Sequence, residues 1–486
     1  MGAKYFGLWF VAAFSMVSLA AGTNDTRVVD AAKKSDSAAV RTLLQQKANV
    51  NVPQADGATA LHWAAHWDDV DMADALIRAG AAVNTTNDFG VTPVWLACLN
   101  GSAPMVDRLL KAGANPNAAL PSGETPLMTA SRSGNAEAVK LLVARGANVN
   151  AVESAKGQTA LMWAVAERHP KVVQALLEVG ANASARSEPR PRRVNTTSGG
   201  ATWEPRTTMD VEQGGYTPLL FAAREGDLES ARLLVAAGAK VNENAPDGTS
   251  PLVVATHSGH SALAVFLLDK GADANAAGAG YTAMHAAILR NEPDVVKGLL
   301  AHGANPNAPL VKATAMRRAS ADWALEFDMI GATPFWLAAQ YSEPEAMRLL
   351  AAAGADPLFA MDGATALMAA ISARRRAEPG VTPDPIDDER ITLEAIRVGI
   401  DAGVDVNAVN KDGNTALHLA VQRRLNTVVQ FLADKGATLA VKNKKGQTPL
   451  AMAGSGGGGR GGFGGAGGGA TAAATVELLR KLGAKE

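Results

Sequence analysis

A fixed repeat governs this chain. A threonine, once a serine, opens a recurring block at Thr59, Thr92, Thr125, Thr159, Thr217, Ser250, Thr282, Thr333, Thr365, Thr415 and Thr448. A glycine closes it at Gly80, Gly113, Gly146, Gly180, Gly238, Gly271, Gly303, Gly354, Gly403, Gly436 and Gly483. The spacing is 21 residues in nine of these eleven blocks, which chance does not produce. Each block reads as a helical hairpin. The hydroxyl caps the first helix, and proline at the next position, as at Pro93, Pro126 and Pro218, suits its first turn. The glycine ends the second helix, where a left-handed backbone costs little without a Cβ. Leu-Leu pairs such as Leu109-Leu110 and Leu141-Leu142 supply an apolar face, and Ala-Ala pairs such as Ala64-Ala65 let helices approach closely. One hairpin cannot bury that face, so neighbours stack into a continuous core. The pattern predicts one elongated domain, where 486 residues would otherwise suggest about three.

The segments Thr59-Ala60-Leu61-His62-Trp63-Ala64-Ala65, Thr125-Pro126-Leu127-Met128 and Thr415-Ala416-Leu417-His418-Leu419-Ala420 resemble the Thr-Pro-Leu-His-x-Ala-Ala core of ankyrin repeats. So do Gly146-Ala147-Asn148-Val149-Asn150 and Gly303-Ala304-Asn305-Pro306-Asn307. Residues 27–53 lack the threonine signature, as suits a capping repeat, and bring the expected number to twelve. The resemblance implies an all-α repeat solenoid over residues 25–486, built from helix–turn–helix repeats with β-hairpin fingers, and a protein-binding rather than catalytic role.

The period breaks in four places. Gly180 to Thr217 spans 37 residues and Gly303 to Thr333 spans 30, against the usual 11–13, which enlarges two fingers at 185–214 and 308–330. Thr365 to Gly403 and Thr448 to Gly483 are also long, so insertions at 372–390 and 454–470 lengthen helix-to-helix connections. The first finger carries Arg190, Arg192, Arg193, Trp203 and Arg206 among prolines, balanced by Glu188, Glu204, Asp210 and Glu212. The second carries Arg317, Arg318, Trp323 and Phe327 and has the composition for a short helix. Trp and Arg dominate binding hot spots, and long loops in compact folds are often functional; the bland alternative is that both fingers fold back on the helices. The 372–390 insertion reads as a solvated loop, and the glycine-rich run 454–469 as a flexible linker.

The ankyrin resemblance further implies a concave binding surface at the two positions after each Ala-Ala pair. Here these include His66, Trp67, Leu99, Asn100, Arg132, Arg224, Glu225, His257, Leu289, Arg290, Gln340, Tyr341, Gln422 and Arg423. Trp67 and Tyr341 are large aromatics expected to be exposed there, whereas Trp63, Trp95, Trp163 and Trp336 are expected in the core. His62 and His66 stand at metal-ligand spacing on one helix, but His62 occupies the motif histidine, which implies hydrogen bonding between repeats. No catalytic motif stands in a strand-to-helix context, and no cofactor or metal is expected.

Residues 1–21 read as a signal peptide: Lys4 is the sole charge, an apolar run follows, and Ser18-Leu19-Ala20 offers a cleavage site. The alternative is an uncleaved anchor, since the stretch Tyr5–Ala21 is 17 residues long. The signal, the Ala- and Gly-rich composition and the absence of disulfides predict an exported protein, periplasmic or secreted, of bacterial type; a monomer is expected, with no membrane span after cleavage. The balance of 46 Lys and Arg against 47 Asp and Glu gives no electrostatic case for nucleic acid. The leading expectation is a non-catalytic scaffold that binds a partner protein through groove and fingers. Its alternatives are an inhibitor or immunity-type protein of an exported enzyme and, more remotely, a metal-dependent enzyme.

Overall fold

The computed structural model describes residues 25–195, 208–314, 325–373, 384–454 and 471–485. Two compact units partition them: residues up to Ala155 with Glu178–Ala181, and Lys156–Leu177 with everything from Asn182 onward. The first unit holds α1 (Arg27–Lys33), α2 (Ser37–Gln45), α3 (Ala60–His66), α4 (Val70–Arg78), α5 (Pro93–Leu99), α6 (Ala103–Lys111), α7 (Pro126–Ser133) and α8 (Ala136–Ala144). The second begins with α9 (Ala160–Ala166), α10 (Pro170–Glu178), the strands β1 (Arg190–Asn195) and β2 (Thr208–Gln213), α11 (Pro218–Glu225) and α12 (Leu228–Ala236). It continues through α13 (Pro251–His257), α14 (Ser261–Asp269), α15 (Ala283–Arg290), α16 (Pro293–Ala301), α17 (Pro334–Gln340) and α18 (Pro344–Ala352). It ends with α19 (Ala366–Ile371), α20 (Pro385–Asp401), α21 (Ala416–Gln422), α22 (Asn426–Asp434), α23 (Pro449–Gly454) and α24 (Ala472–Lys481). Twelve helix pairs are thus present among the described residues, the architecture of an ankyrin-type all-α solenoid.

The sequence signals act where their chemistry places them. Thr92, Thr125, Thr217 and Ser250 each accept the backbone N–H three residues on, and proline follows each of them at the first helical position. Gly113 ends α6 with φ 90°, and a Cβ there would meet nothing within 4 Å. The requirement is therefore conformational and not steric. At Gly248 the reason differs: a Cβ would lie 2.5 Å from the Gly278 backbone, so two successive fingers touch through glycine alone.

First helices stack on first helices, as α3 on α5 and α13 on α15, and second helices on second helices, as α6 on α8 and α14 on α16. Leu76, Met105, Leu109, Leu142, Leu176 and Phe335 are fully buried between them. Each contributes about 1.5–3 kcal/mol relative to exposure.

Packing alone would let neighbouring pairs slide; asparagine side chains fix their register. Asn117 donates through Nδ2 to the Gly146 carbonyl at 2.9 Å and accepts through Oδ1 from the Asn148 N–H at 2.7 Å. Asn51, Asn84, Asn242, Asn275, Asn307 and Asn407 make the same two-point bridge to the next pair. Each satisfies a carbonyl left without a partner at a helix C-terminus. Asn307 spans the whole second enlarged finger to reach Gly354 at 3.1 Å, so that insertion leaves the junction intact. Ser184, Leu358 and Ala440 stand at the equivalent position and cannot make the bridge.

One insertion differs from expectation. The solvated loop predicted over 372–390 gives way at Asp384, whose carboxylate caps Ile386 N–H, to a 17-residue α20 that starts at Pro385. The overhang places Glu389 Oε1 on the N-terminus of α22, where it accepts from Thr427 N–H at 2.7 Å and Val428 N–H at 3.4 Å. Leu425, the N-cap of α22, has no oxygen to do this. The glycine-rich run 455–470 lies outside the described residues.

Asn117→Ala should lower stability by about 1–3 kcal/mol, two hydrogen bonds at about 0.5–1.5 kcal/mol each, read as a fall in urea midpoint. Glu389→Ala should cost about 0.5–2 kcal/mol, and amide exchange should localise the loss to the first turn of α22.

Candidate binding surface

In the first unit the end of α3 forms an ordered aromatic patch. Trp67 is 48% exposed, yet its Nε1 donates to the Lys33 carbonyl at 3.2 Å, which fixes the ring. Trp63 stacks beside it with centroids 6.4 Å apart, His66 meets it edge-on at 4.7 Å, and the Lys33 ammonium lies 5.3 Å over Trp63. Leu99, at the end of α5, is 43% exposed. Its neighbour Asn100 is a bridge instead of a free contact: Nδ2 donates to the carbonyls of Ala65 and His66 at 3.0 and 2.9 Å. Arg132 pairs with Glu124 at 3.4 Å.

In the second unit the corresponding positions are largely used within the fold. Arg224 pairs with Glu225 at 2.7 Å and lies 4.9 Å over Phe221. His257 meets the ring of Tyr281, Arg290 donates to the Ser258 carbonyl at 3.4 Å, and Gln340 is half-buried. Arg423 donates to the carbonyls of Ile371 and Ala373 at 2.6 and 3.2 Å, while Gln422 is exposed. Two expectations fail here. Leu289 is buried, packed as core at the end of α15. Tyr341, expected exposed, is only 9% exposed, because the second enlarged finger returns across it and Tyr341 Oη donates to Met329 Sδ at 3.2 Å.

That finger is anchored at its base. Leu310 N–H donates to Ala332 O, Gly331 N–H to Leu310 O, and Thr314 N–H to Leu325 O, while Leu310, Leu325 and Met329 are buried. Among the described residues of this finger, Phe327–Met329 forms a 3-10 turn. The first enlarged finger is an exposed antiparallel ribbon, with Arg192 paired in register with Val211 and Arg193 with Asp210. Arg193 holds the Asp210 carboxylate through Nε at 3.0 Å and Nη2 at 3.4 Å, which lowers that acid's pKa. Trp203, Arg206, Arg317, Arg318 and Trp323 lie outside the described residues.

The four tryptophans assigned to the core divide. Trp336 is buried and donates through Nε1 to the Ala364 carbonyl at 2.9 Å, whereas Trp63, Trp95 and Trp163 are only half-buried. Trp336 occupies the motif histidine position and does its work. His62 receives Thr59 N–H on Nδ1 at 3.1 Å and reaches the Val91 carbonyl with Nε2 at 3.0 Å; His418 does the same with Thr415 and Gln447. Both ring nitrogens of His62 are thereby engaged, which removes it as a metal ligand. Among the described residues no group of three or more His, Cys, Asp or Glu side chains is placed to hold a metal, and no helix is long and apolar enough to cross a membrane. Cys98 is buried, and burial pushes its thiol well above its usual range.

Two contacts escape a reading by motif alone: the Glu389 cap of α22 and the reach of Arg423 to the preceding pair. Leu425 at an N-cap position was the available signal for the first; nothing in the spacing marks the second.

A stack of helix pairs with register-fixing side chains defines a repeat protein. Models described as "Ankyrin repeats (3 copies)" match residues 28–120, 95–187 and 219–309, and "Ankyrin repeats (many copies)" matches 400–453. The chain belongs to the ankyrin repeat family, whose repeats are scaffolds for protein–protein interaction.

Over 335 residues it is 25% identical to E3 ubiquitin-protein ligase KEG of Arabidopsis thaliana, covering 62% of this chain and 18% of that one. It is 28% identical over 193 residues to Rabankyrin-5 of Mus musculus, covering 38% of this chain and 16% of that protein. With B-cell lymphoma 3 protein of Homo sapiens it shares 34% over 122 residues, 25% of this chain and 24% of that protein. The chain thus spans under a quarter of each of these relatives. The human ASB11 ankyrin repeat domain aligns at 28% identity over 51% of this chain and 98% of that structure, with a TM-score of 0.41.

His285 carries a pH prediction. Its Nδ1 receives Thr282 N–H at 3.1 Å, but its buried Nε2 has no partner, and burial pushes its pKa down to about 4. The unfolded chain then binds the proton first, so stability is complete above about pH 6.5 and falls as pH drops towards 4. His285→Gln, which keeps a capping side chain at that position, should flatten this part of the pH–stability curve measured by urea denaturation.

Proposed function

We propose that the protein is an exported, non-catalytic scaffold that binds a partner protein through the aromatic end of α3 with Leu99, and through its enlarged fingers. The observation that carries the reading is Trp67: half-exposed, yet held in one orientation by its bond to Lys33. An aromatic fixed before binding loses little entropy when a partner covers it. The surface in the second unit contributes less, because Arg224, Arg290, Arg423 and Tyr341 serve internal contacts. Export rests on residues 1–21 alone, and the narrower reading, an inhibitor of an exported enzyme, rests on the projecting first finger.

The mature protein isolated from its host should begin near Ala21 or Gly22; a chain still beginning at Met1 and found only in the cytoplasmic fraction would remove export from the reading. Trp67→Ala combined with Leu99→Ser should weaken retention of a partner from the exported fraction by about a hundredfold while leaving helicity unchanged. Undiminished retention would move recognition to the fingers. Loss on deleting 190–212 alone would favour the inhibitor form.

A further inference from the structure

The described part of the first enlarged finger is a two-stranded sheet. Among the described residues no third strand pairs with either side of it. Free strand edges are templates for another chain, and proteins blunt them with proline and cationic side chains. β1 carries such protection: Arg190-Pro191-Arg192-Arg193 runs along it, and Pro191 lacks an N–H. β2, Thr208-Met209-Asp210-Val211-Glu212-Gln213, contains no proline.

The charges on the ribbon are unevenly matched. Asp210 and Glu212 are two apart on β2 and so share a face. Asp210 faces Arg193 across the ladder and is neutralised by it. Glu212 faces Pro191, which supplies no charge, and is exposed, with no ion pair among the described residues. A carboxylate whose cross-strand neighbour is proline is open to a cation from the other side.

We propose that the open edge of β2 accepts an extended basic segment of a partner as a third strand, with a Lys or Arg placed beside Glu212. Main-chain hydrogen bonds along the edge supply affinity, and the Glu212 charge selects a basic strand. This rests on the reading of the enlarged finger as a recognition element and names the chemistry of what it recognises. The test is independent of the α3 patch, so its failure leaves that part of the reading standing.

The probe is a fluorescently labelled acetyl-Lys-Val-Lys-Val-Lys-Val-amide, titrated against the full-length chain by anisotropy. Saturable binding is expected. It should be lost with the same peptide N-methylated at every amide, which keeps charge but cannot join a ladder. Glu212→Lys should weaken it at least about tenfold, with helicity by circular dichroism unchanged because the ribbon lies outside the helices. Equal binding of both peptides would reduce the contact to charge attraction and overturn strand addition. No saturable binding below about 1 mM, or binding unaffected by Glu212→Lys, would overturn the site.

Discussion

The bridge from an asparagine in one finger to the terminal carbonyl of the next helix pair is the contact on which the rest of this structure depends. Apolar helix faces attract one another without direction, and a stack built on Leu and Ala alone has many nearly equivalent offsets. The asparagine removes that freedom with one donor and one acceptor, both spent on backbone atoms that no helix can satisfy. Its site is exposed, so it contributes specificity of register more than bulk stability.

Much of this was legible in the sequence because each signal is local. A hydroxyl before a helix and a glycine after it act on atoms within a few positions, so spacing alone places them, and twelve pairs and the enlarged fingers follow. The Asn bridge reaches 29 residues on, from Asn117 to Gly146, and no local signal marks it; the role of His62 rests on the ankyrin resemblance. What spacing cannot convey is whether a side chain at a surface position already has an occupant. Tyr341 and Trp67 occupy equivalent places in their blocks, yet one lies under a returning finger and the other is open. The difference is made by Met329, twelve residues away, in a segment that obeys no period. Asn100 and Arg423 also bond to the preceding block, since a residue at the rim of a stack reaches that block as easily as it reaches solvent.

On the proposed reading, recognition is distributed accordingly. In the second unit the rim is spent on internal bonds, so those polar residues are poor anchors whatever their type. In the first unit the aromatic patch is both open and rigid. Charge plays a smaller part than the arginine count suggests, since Arg190 and Arg193 are matched by Glu188 and Asp210 at 3.0 Å. Such exposed pairs are screened and contribute little to folding; they do set which side of the ribbon remains unbalanced.

The overhang of α20 has a consequence for how such an array can change. Most blocks carry their own caps, so duplication or loss of one costs little beyond re-forming a junction. The block that contains α22 does not: its second helix begins on a carboxylate borrowed from its predecessor, at Glu389. Those two blocks are therefore a single heritable cassette. Recombination between them would leave α22 without that cap, a cost of about 0.5–2 kcal/mol that a shuffled array would have to make up elsewhere.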